Sequence, residues 1–385
     1  MRKMSFRNAM VAAIFASGLT AAAAAPALAG TATRSPFGAL PDGRAVESVL
    51  LDNGHGLRAR ILTYGAILQS LEVPDRAGRA ADVVLGYADA ATYVTHPNYF
   101  GASVGRYANR IAGGRFTLDN HSYQLPLNNG PNSLHGGPLG FDRRMWRIVS
   151  VRGGAEPNVT LAYVSADGEQ GYPGTLSVTA TYTLAANLLS VDYRATTTAP
   201  TIVNITNHSF FNLAGEASAR TILDERLTIP AETITPVGPT LIPTGAFRPV
   251  AGTPFDFRRP ATIGARIRDG RDEQIRFGQG YDHNYVISRA PTRDLHLMAR
   301  VEDPASGRVL EMLSNQPGVQ FYAGNFLDGT AIGKSGHAYR QSDGLALEPQ
   351  LFPDTPNQPA FGSARLDPGH SYENRIVYRF STIAR

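Results

Sequence analysis

The chain has 385 residues, 43% of them hydrophobic and 18% charged. That is enough apolar content for a large core, and it excludes a disordered chain. There is no cysteine, so disulfides, thiolate metal sites and cysteine nucleophiles are excluded. The formal net charge is +4, and no Lys/Arg cluster stands out beyond Arg143-Arg144 and Arg258-Arg259, so nucleic acid is not expected as a partner.

The N-terminus is set apart from that core. Arg2, Lys3 and Arg7 precede an apolar run from about Met10 to Leu19, then an alanine-rich stretch ending in Ala27-Leu28-Ala29. A basic head, a short apolar body and a small-x-small end make a secretory leader over residues 1–29, with cleavage after Ala29. The apolar run is too short for a comfortable membrane span. Losing the leader removes three basic residues and no acids, so the net charge falls from +4 to +1. The expected location is periplasmic or secreted, with no membrane attachment after cleavage. An exported chain without disulfides is held by its core alone, which this length allows.

Residues 30–45 are rich in Gly, Pro, Ser and Ala and are expected as a loose lead-in. Between residues 56 and 73 the apolar text breaks at Tyr64-Gly65, which predicts two strands around a turn or bulge. A short strand is expected over 82–86. Period-two alternation with β-branched and aromatic enrichment predicts strands over 159–164, 175–184, 189–196 and 201–206. Further strands fit 226–229, 295–301, 310–314, 319–323, 344–347 and 375–380. Only two short helices are predicted, over 88–93 and 262–267. Length alone favours two domains, but no linker or repeat interrupts the strands after residue 45. The fold class is therefore all-β, one large antiparallel sandwich over 30–385 with few short helices.

The chemistry centres on Leu345-Ala346-Leu347-Glu348-Pro349-Gln350, an apolar strand-like run with one carboxylate. Burial disfavours the charged carboxylate, so Glu348 is expected to accept a proton better than an exposed Glu. His208 follows the 201–206 strand, with Asn207, Ser209 and Asn212 around it and Phe210 and Phe211 as apolar walls. His135 precedes Gly136-Gly137, where a backbone or ligand can come close. A lone histidine near an apolar face is more often a satisfied core residue, so neither is assigned on its own. His55, His96, His121, His296, His337 and His370 are assigned no role. In the 100–116 segment, the Arg110 fork suits vicinal oxygens and Asn109 offers a donor and an acceptor. The plainer reading there is a turn capped by Asn109, with Arg110 in a surface ion pair. Asp282, beside His283, binds a ligand hydroxyl or merely caps a turn.

Other chemistries fit parts of this set. His135, His208 and Glu348 are metal-ligand types, but no H-E-x-x-H helix holds them. A serine hydrolase is set aside for want of a nucleophile elbow. Glu348 and Asp282 leave open a glycosidase, which needs two opposed carboxylates.

Taken in order, a longer set of motifs decides among these. It comprises Asn109-Arg110-Ile111 with Gly114-Arg115-Phe116, Asn128-Asn129-Gly130-Pro131-Asn132-Ser133-Leu134-His135-Gly136-Gly137, Gly140-Phe141-Asp142 and Trp146. It continues with Asp167-Gly168-Glu169-Gln170-Gly171-Tyr172-Pro173-Gly174, Asn207-His208-Ser209 and Phe211-Asn212-Leu213. It ends with Thr253-Pro254-Phe255-Asp256-Phe257-Arg258, Tyr281-Asp282-His283, Gly318-Val319-Gln320-Phe321-Tyr322 and Leu347-Glu348-Pro349-Gln350. From about residue 37 to 380 the chain resembles the aldose 1-epimerases, or galactose mutarotases.

The resemblance implies a single β-supersandwich domain of the galactose mutarotase type. It implies an enzyme that interconverts the α and β anomers of free aldohexoses such as glucose and galactose. Glu348 would be the general base, His208 the general acid and His135 an assistant at the reacting end. Asn109, Arg110, Asp282 and Gln320 would hold the sugar hydroxyls. No cofactor and no metal are implied. The expected partner is a small-molecule aldose, with the protein a monomer or weak dimer. For this chemistry Glu348 is expected ionised and His208 protonated, each charge supporting the other. Two departures stand out: Phe210 lies where the family commonly has Tyr, and the leader contrasts with many cytoplasmic relatives. A non-catalytic sugar-binding module and a hexose-6-phosphate 1-epimerase are the alternatives.

Overall fold

The computed structural model describes Met1 and residues 29–384. The leader expected over 1–29 therefore lies outside the described residues, apart from its two end positions. Among the described residues no helix is long and apolar enough to cross a membrane.

Three antiparallel sheets carry the architecture. The largest has nine strands, in the spatial order Arg147–Arg152, Asn158–Ser165, Leu176–Leu184, Leu188–Thr197, Tyr372–Thr382, Arg308–Ser314, His296–Glu302, Arg226–Thr228 and Ala261–Thr262. A six-stranded sheet runs Phe210–Phe211, Leu345–Gln350, Gly318–Tyr322, Asp282–Val286, Thr233–Ile234 and Arg248–Pro249. A five-stranded meander takes Thr31–Ala39, Ala45–Asp52, Arg58–Leu62, Leu68–Pro74 and Ala80–Asp82 in order.

The alternating text becomes alternating burial. In Leu176–Leu184 the even-numbered side chains are buried and the odd-numbered ones face outward. Val178, Ala180, Tyr182, Val191, Tyr193, Met312 and Tyr378 meet Val319, Phe321, Leu345 and Leu347 of the six-stranded sheet in one core. Each fully buried side chain of this size contributes about 1.5–3 kcal/mol relative to exposure. The six-stranded sheet thus commits one face to the core. Its other face carries Asp282, Gln320, Tyr322 and Glu348, and its central strands are buried apart from the half-buried Tyr322. Pro349 is tolerated in such a strand because Phe210–Phe211 pairs only with Leu345–Ala346. Beyond Ala346 that edge has no partner strand, a place where proline is admitted.

Several expected elements differ. The lead-in over 30–45 is largely a strand: Thr31–Ala39 pairs along Ala45–Asp52 with a bulge between Pro36 and Gly38. It is an edge strand with mostly exposed side chains, so its composition reads as loop while its backbone is paired. The 82–86 strand ends at Asp82, leaving Val84 in a single bridge to Phe211. The first helix is Ala90–Thr95, shifted because Asp89 caps it by accepting from Thr92 N. The helix over 262–267 is a strand end and one 3-10 turn. A helix the sequence reading missed, Glu273–Gly278, starts at the Asp272 cap. The strand over 201–206 is broken into Thr201–Ile202 and Thr206–His208. Between them the Asn204 side chain bonds Ala108 O and Leu351 N, while its backbone makes one isolated parallel bridge with Tyr107. The pair of strands flanking Tyr64-Gly65 is as expected.

Candidate active site

Each site residue is placed by a local device. Thr206–His208 pairs with Ala102–Val104. The Asn207 Oδ1 then accepts both the N–H and the hydroxyl of Ser209. This turn hands the chain over to Leu345–Ala346, and so brings His208 beside the Glu348 strand. His135 comes from the turn after Ser133–Leu134, which pairs with Arg110–Ile111. His135, Gly136 and Gly137 all have positive φ. A Cβ on Gly136 would lie 2.0 Å from Gly105 O, so only glycine fits there. Asn109 takes the left-handed conformation at φ +63°, which Asn tolerates better than most residues.

These segments converge on a cleft of about 550 Å³. Asn109, Arg110, His135, His208, Asp282 and Glu348 all line it. Glu348 Oε1 lies 3.6 Å from His208 Nε2, with the two side chains 3% and 6% exposed. Glu348 Oε2 and His208 Nδ1 are buried and have no hydrogen-bond partner among the described residues. The His135 and His208 rings meet edge to face at 5.0 Å and 86°.

Opposite the histidines runs a polar wall. Gln320 Nε2 donates to Asp282 Oδ1 at 2.7 Å. Arg110 Nη1 lies 3.9 Å from Asp282 Oδ2, and Arg110 Nε donates to Asn129 Oδ1 at 2.9 Å. Asn109 Oδ1 accepts from Arg110 N. The turn cap and the ion pair of the plainer reading are both present, but they are buried in the cleft wall, not spread on the surface. Gln320 is not itself among the lining residues; it reaches the site through Asp282.

Electrostatics correct one expectation. Burial, reinforced by the Asp282 charge, pushes the Glu348 carboxyl well above its ordinary value. Burial pulls His208 down to about 4. His135 is pulled well below its ordinary value by burial, His208 and Arg110. Burial thus works against the ion pair expected from the sequence, raising the carboxyl and lowering the imidazole. Desolvating two charges outweighs their attraction unless further hydrogen bonds support them, and neither charge has that support here.

The other chemistries fare poorly on geometry. His135, His208 and Glu348 bring ligand atoms within 4.8 Å of one another. Yet His135 Nδ1 accepts from Asn109 N at 3.1 Å, which leaves the neutral ring's proton on Nε2. That nitrogen then donates and has no lone pair for a metal. Asp282 and Glu348 lie on the same sheet face, on the strands either side of Gln320, and Asp282 is engaged by Gln320 and Arg110. The ground for setting aside a serine hydrolase changes. Gly101-Ala102-Ser103-Val104-Gly105 does have the G-x-S-x-G spacing. However, Ser103 lies within a paired strand, fully buried, with its hydroxyl 2.7 Å from Tyr193, and is no exposed elbow.

The sequence reading missed Tyr99, Asn129, Phe277 and Phe326 as lining residues. Asn129 sits in an amide-rich turn whose text signals a turn but not the Arg110 partner. Tyr99 has no sequence signal beyond its place two residues before Gly101.

Comparison with known proteins agrees with this geometry. The family described as aldose 1-epimerase matches residues 47–379. The galactose mutarotase of Sus scrofa is 47% identical over 349 residues, covering 91% of this chain and 98% of that relative. The aldose 1-epimerase of Escherichia coli strain K12 is 38% identical over 343 residues, covering 88% and 96%. A solved aldose epimerase homologue from C. elegans superposes with a TM-score of 0.78 at 32% identity, covering 91% of this chain and 100% of the other. With a family match over most of its length and a supersandwich fold of the galactose mutarotase type, this chain belongs to the aldose 1-epimerase family.

Proposed function

We propose that this protein is an aldose 1-epimerase that opens and recloses the hemiacetal ring of a free aldohexose such as glucose or galactose. The observation that carries this reading is the Glu348–His208 pair, 3.6 Å apart, in the cleft of a chain 47% identical to a galactose mutarotase. In the productive complex Glu348 is the carboxylate and His208 the imidazolium. Glu348 takes the proton of the anomeric hydroxyl while His208 gives one to the ring oxygen. The ring opens to the aldehyde, the new carbonyl turns about its bond to the neighbouring carbon, and the steps reverse on closure. Each group supplies on the order of 10²–10⁴-fold.

The neutral pair favoured by burial is the protonation state that accompanies the open aldehyde. Once Glu348 has gained a proton and His208 has lost one, both are uncharged. Burial therefore favours the enzyme state paired with the less stable sugar form. His135, donating from Nε2, steadies a sugar oxygen. Asn109, Arg110 and Asp282 hold the ring hydroxyls, with Gln320 buttressing Asp282. All of this uses side chains alone.

The hexose-6-phosphate reading is disfavoured because Arg110 is the one Lys or Arg among the described residues lining the cleft. It is already engaged with Asp282 and Asn129. The test is polarimetry on freshly dissolved α-glucose and α-galactose, with glucose 6-phosphate as competitor. Accelerated decay of rotation, unaffected by the phosphate, is expected; binding without acceleration would leave a sugar-binding module.

Residues 1–29 are proposed as a removed secretory leader and 30–385 as one catalytic domain, acting outside the cytoplasm. Intact-mass measurement of protein recovered from the culture medium or periplasm is expected to show Gly30 as the first residue. A mass retaining residues 1–29 would refute this.

A further inference from the structure

His208 lacks the partner that usually orients a proton-transferring imidazole. In such sites the second ring nitrogen is held by a carboxylate or carbonyl, which fixes the ring plane. Here Nδ1 is buried with no hydrogen-bond partner among the described residues. Its own backbone is the one polar group that favours the charged ring. The titratable and charged groups facing His208 are Glu348 from the six-stranded sheet, His135 from its glycine turn, and, farther off, Arg110 and Asp282. None of them hydrogen-bonds Nδ1.

What holds the ring is aromatic packing. Phe210 lies 5.1 Å away, tilted by 37°. Tyr99 lies 5.6 Å away, tilted by 35°. Tyr99 also packs on His135, at 4.7 Å and 59°, so this one side chain touches both histidines of the cleft.

Tyr99 occupies that place in an unusual conformation. Its φ is +59°, a region that bulky aromatic residues seldom adopt. Its carbonyl accepts from Ala102 N at 3.0 Å. Two residues on, Gly101 also has a positive φ, and a Cβ there would lie 2.1 Å from Leu68 O. Backbone strain of this kind persists where the surroundings over-determine it, and it gathers at functional sites.

We propose that Tyr99 is the positioning residue for His208 and His135, its ring fixing both imidazole planes by packing where a hydrogen-bonded partner would otherwise do so. The proposal rests on the acid/base reading above. The ring also keeps water from His208, in line with the depressed proton affinity of that histidine.

The test removes the ring but keeps the backbone. Asn tolerates the left-handed conformation, so Tyr99→Asn is the informative variant. Misplacement of a reacting group by about 1 Å costs on the order of 10²-fold, and a loss of kcat of that order is expected with KM little changed. The His208 titration, followed by NMR of the free enzyme, is expected to move up from about 4 toward the ordinary ~6.5. Tyr99→Phe is expected to restore both readouts. Wild-type kcat in Tyr99→Asn overturns the proposal, and so does a fall in kcat with the His208 titration unmoved. A Tyr99→Phe variant as impaired as Tyr99→Asn also overturns it, because the hydroxyl would then be the active part. If Tyr99→Asn does not fold, Tyr99→Leu is judged by the same two readouts. The titration needs no turnover, so a wild type that fails to accelerate mutarotation defeats the enzymatic reading separately.

Discussion

Glu348 and His208 face each other across 3.6 Å from two stretches that are remote in sequence. Phe210–Phe211, just after His208, pairs with Leu345–Ala346, just before Glu348. The two side chains are thus fixed by one short ladder, and both are shielded from water. We predict that the two act as a unit.

Glu348→Gln and His208→Asn are each expected to lower kcat by at least about 10²-fold. The double variant is expected to be little worse than the poorer single one, because groups that act together are strongly non-additive. Polarimetric rates of the three proteins check this. Losses that multiply would mean the two residues work independently.

Arg110→Ala is expected to raise KM more than it lowers kcat, since Arg110 contacts Asp282 and Asn129 in the cleft wall and not the Glu348–His208 pair. It also leaves the Asp282 charge buried with only Gln320 beside it. Breaking a buried pair this way costs about 3–5 kcal/mol, to be read as a lowered urea midpoint. Arg110→Lys is expected to recover only part of the loss, because an ammonium lacks the planar fork.

Gly136→Ala is expected to destabilise the protein and to disturb His135. The added Cβ would lie 2.0 Å from Gly105 O, at a φ of +88°. Strain at such a position costs on the order of 1–3 kcal/mol. Thermal denaturation checks the stability, and polarimetry checks the effect on His135. A variant as stable as wild type would show that the turn can move aside.

His283 gives a pH prediction away from the cleft chemistry. It is fully buried, its Nδ1 accepting from Asp282 N and its Nε2 facing Gln274 Oε1. Burial pulls it down to about 3. Between that value and the ordinary ~6.5 the unfolded chain binds a proton that the folded chain does not. Stability is therefore full above about 6.5 and is lost as pH falls, by ~1.4 kcal/mol per pH unit for this group. His208 adds the same sign down to about 4. Glu348 has the opposite sign, because its raised value makes the folded chain hold a proton the unfolded chain has lost. Urea denaturation at pH 6 and pH 4 is expected to show a shallower loss for His283→Gln than for wild type. Equal losses would place the His283 proton affinity near its ordinary value.

Much of this was legible in the text. The strand over 175–184 could be read because one face is buried and the other wet, which forces period two onto the residues. Glu348 stood out because a carboxylate inside an apolar run needs a reason. The edge strand Thr31–Ala39 was not legible, because backbone pairing leaves no side-chain pattern when both faces are exposed. The break at Asn204 was hidden too, since an amide that bonds across the fold looks in sequence like any strand residue.

By itself the sequence determined the all-β, antiparallel class and marked Glu348 as a candidate proton acceptor. These follow from local periodicity and from residue chemistry, which neighbours along the chain suffice to express. Only the tertiary structure decided the burial that raises Glu348 and lowers His208, and the rings that hold His208. It also showed that Arg110 turns inward to Asp282. Those depend on desolvation and on contacts between segments far apart in the chain. Whether water reaches a group is set by everything folded around it, not by its neighbours in the chain.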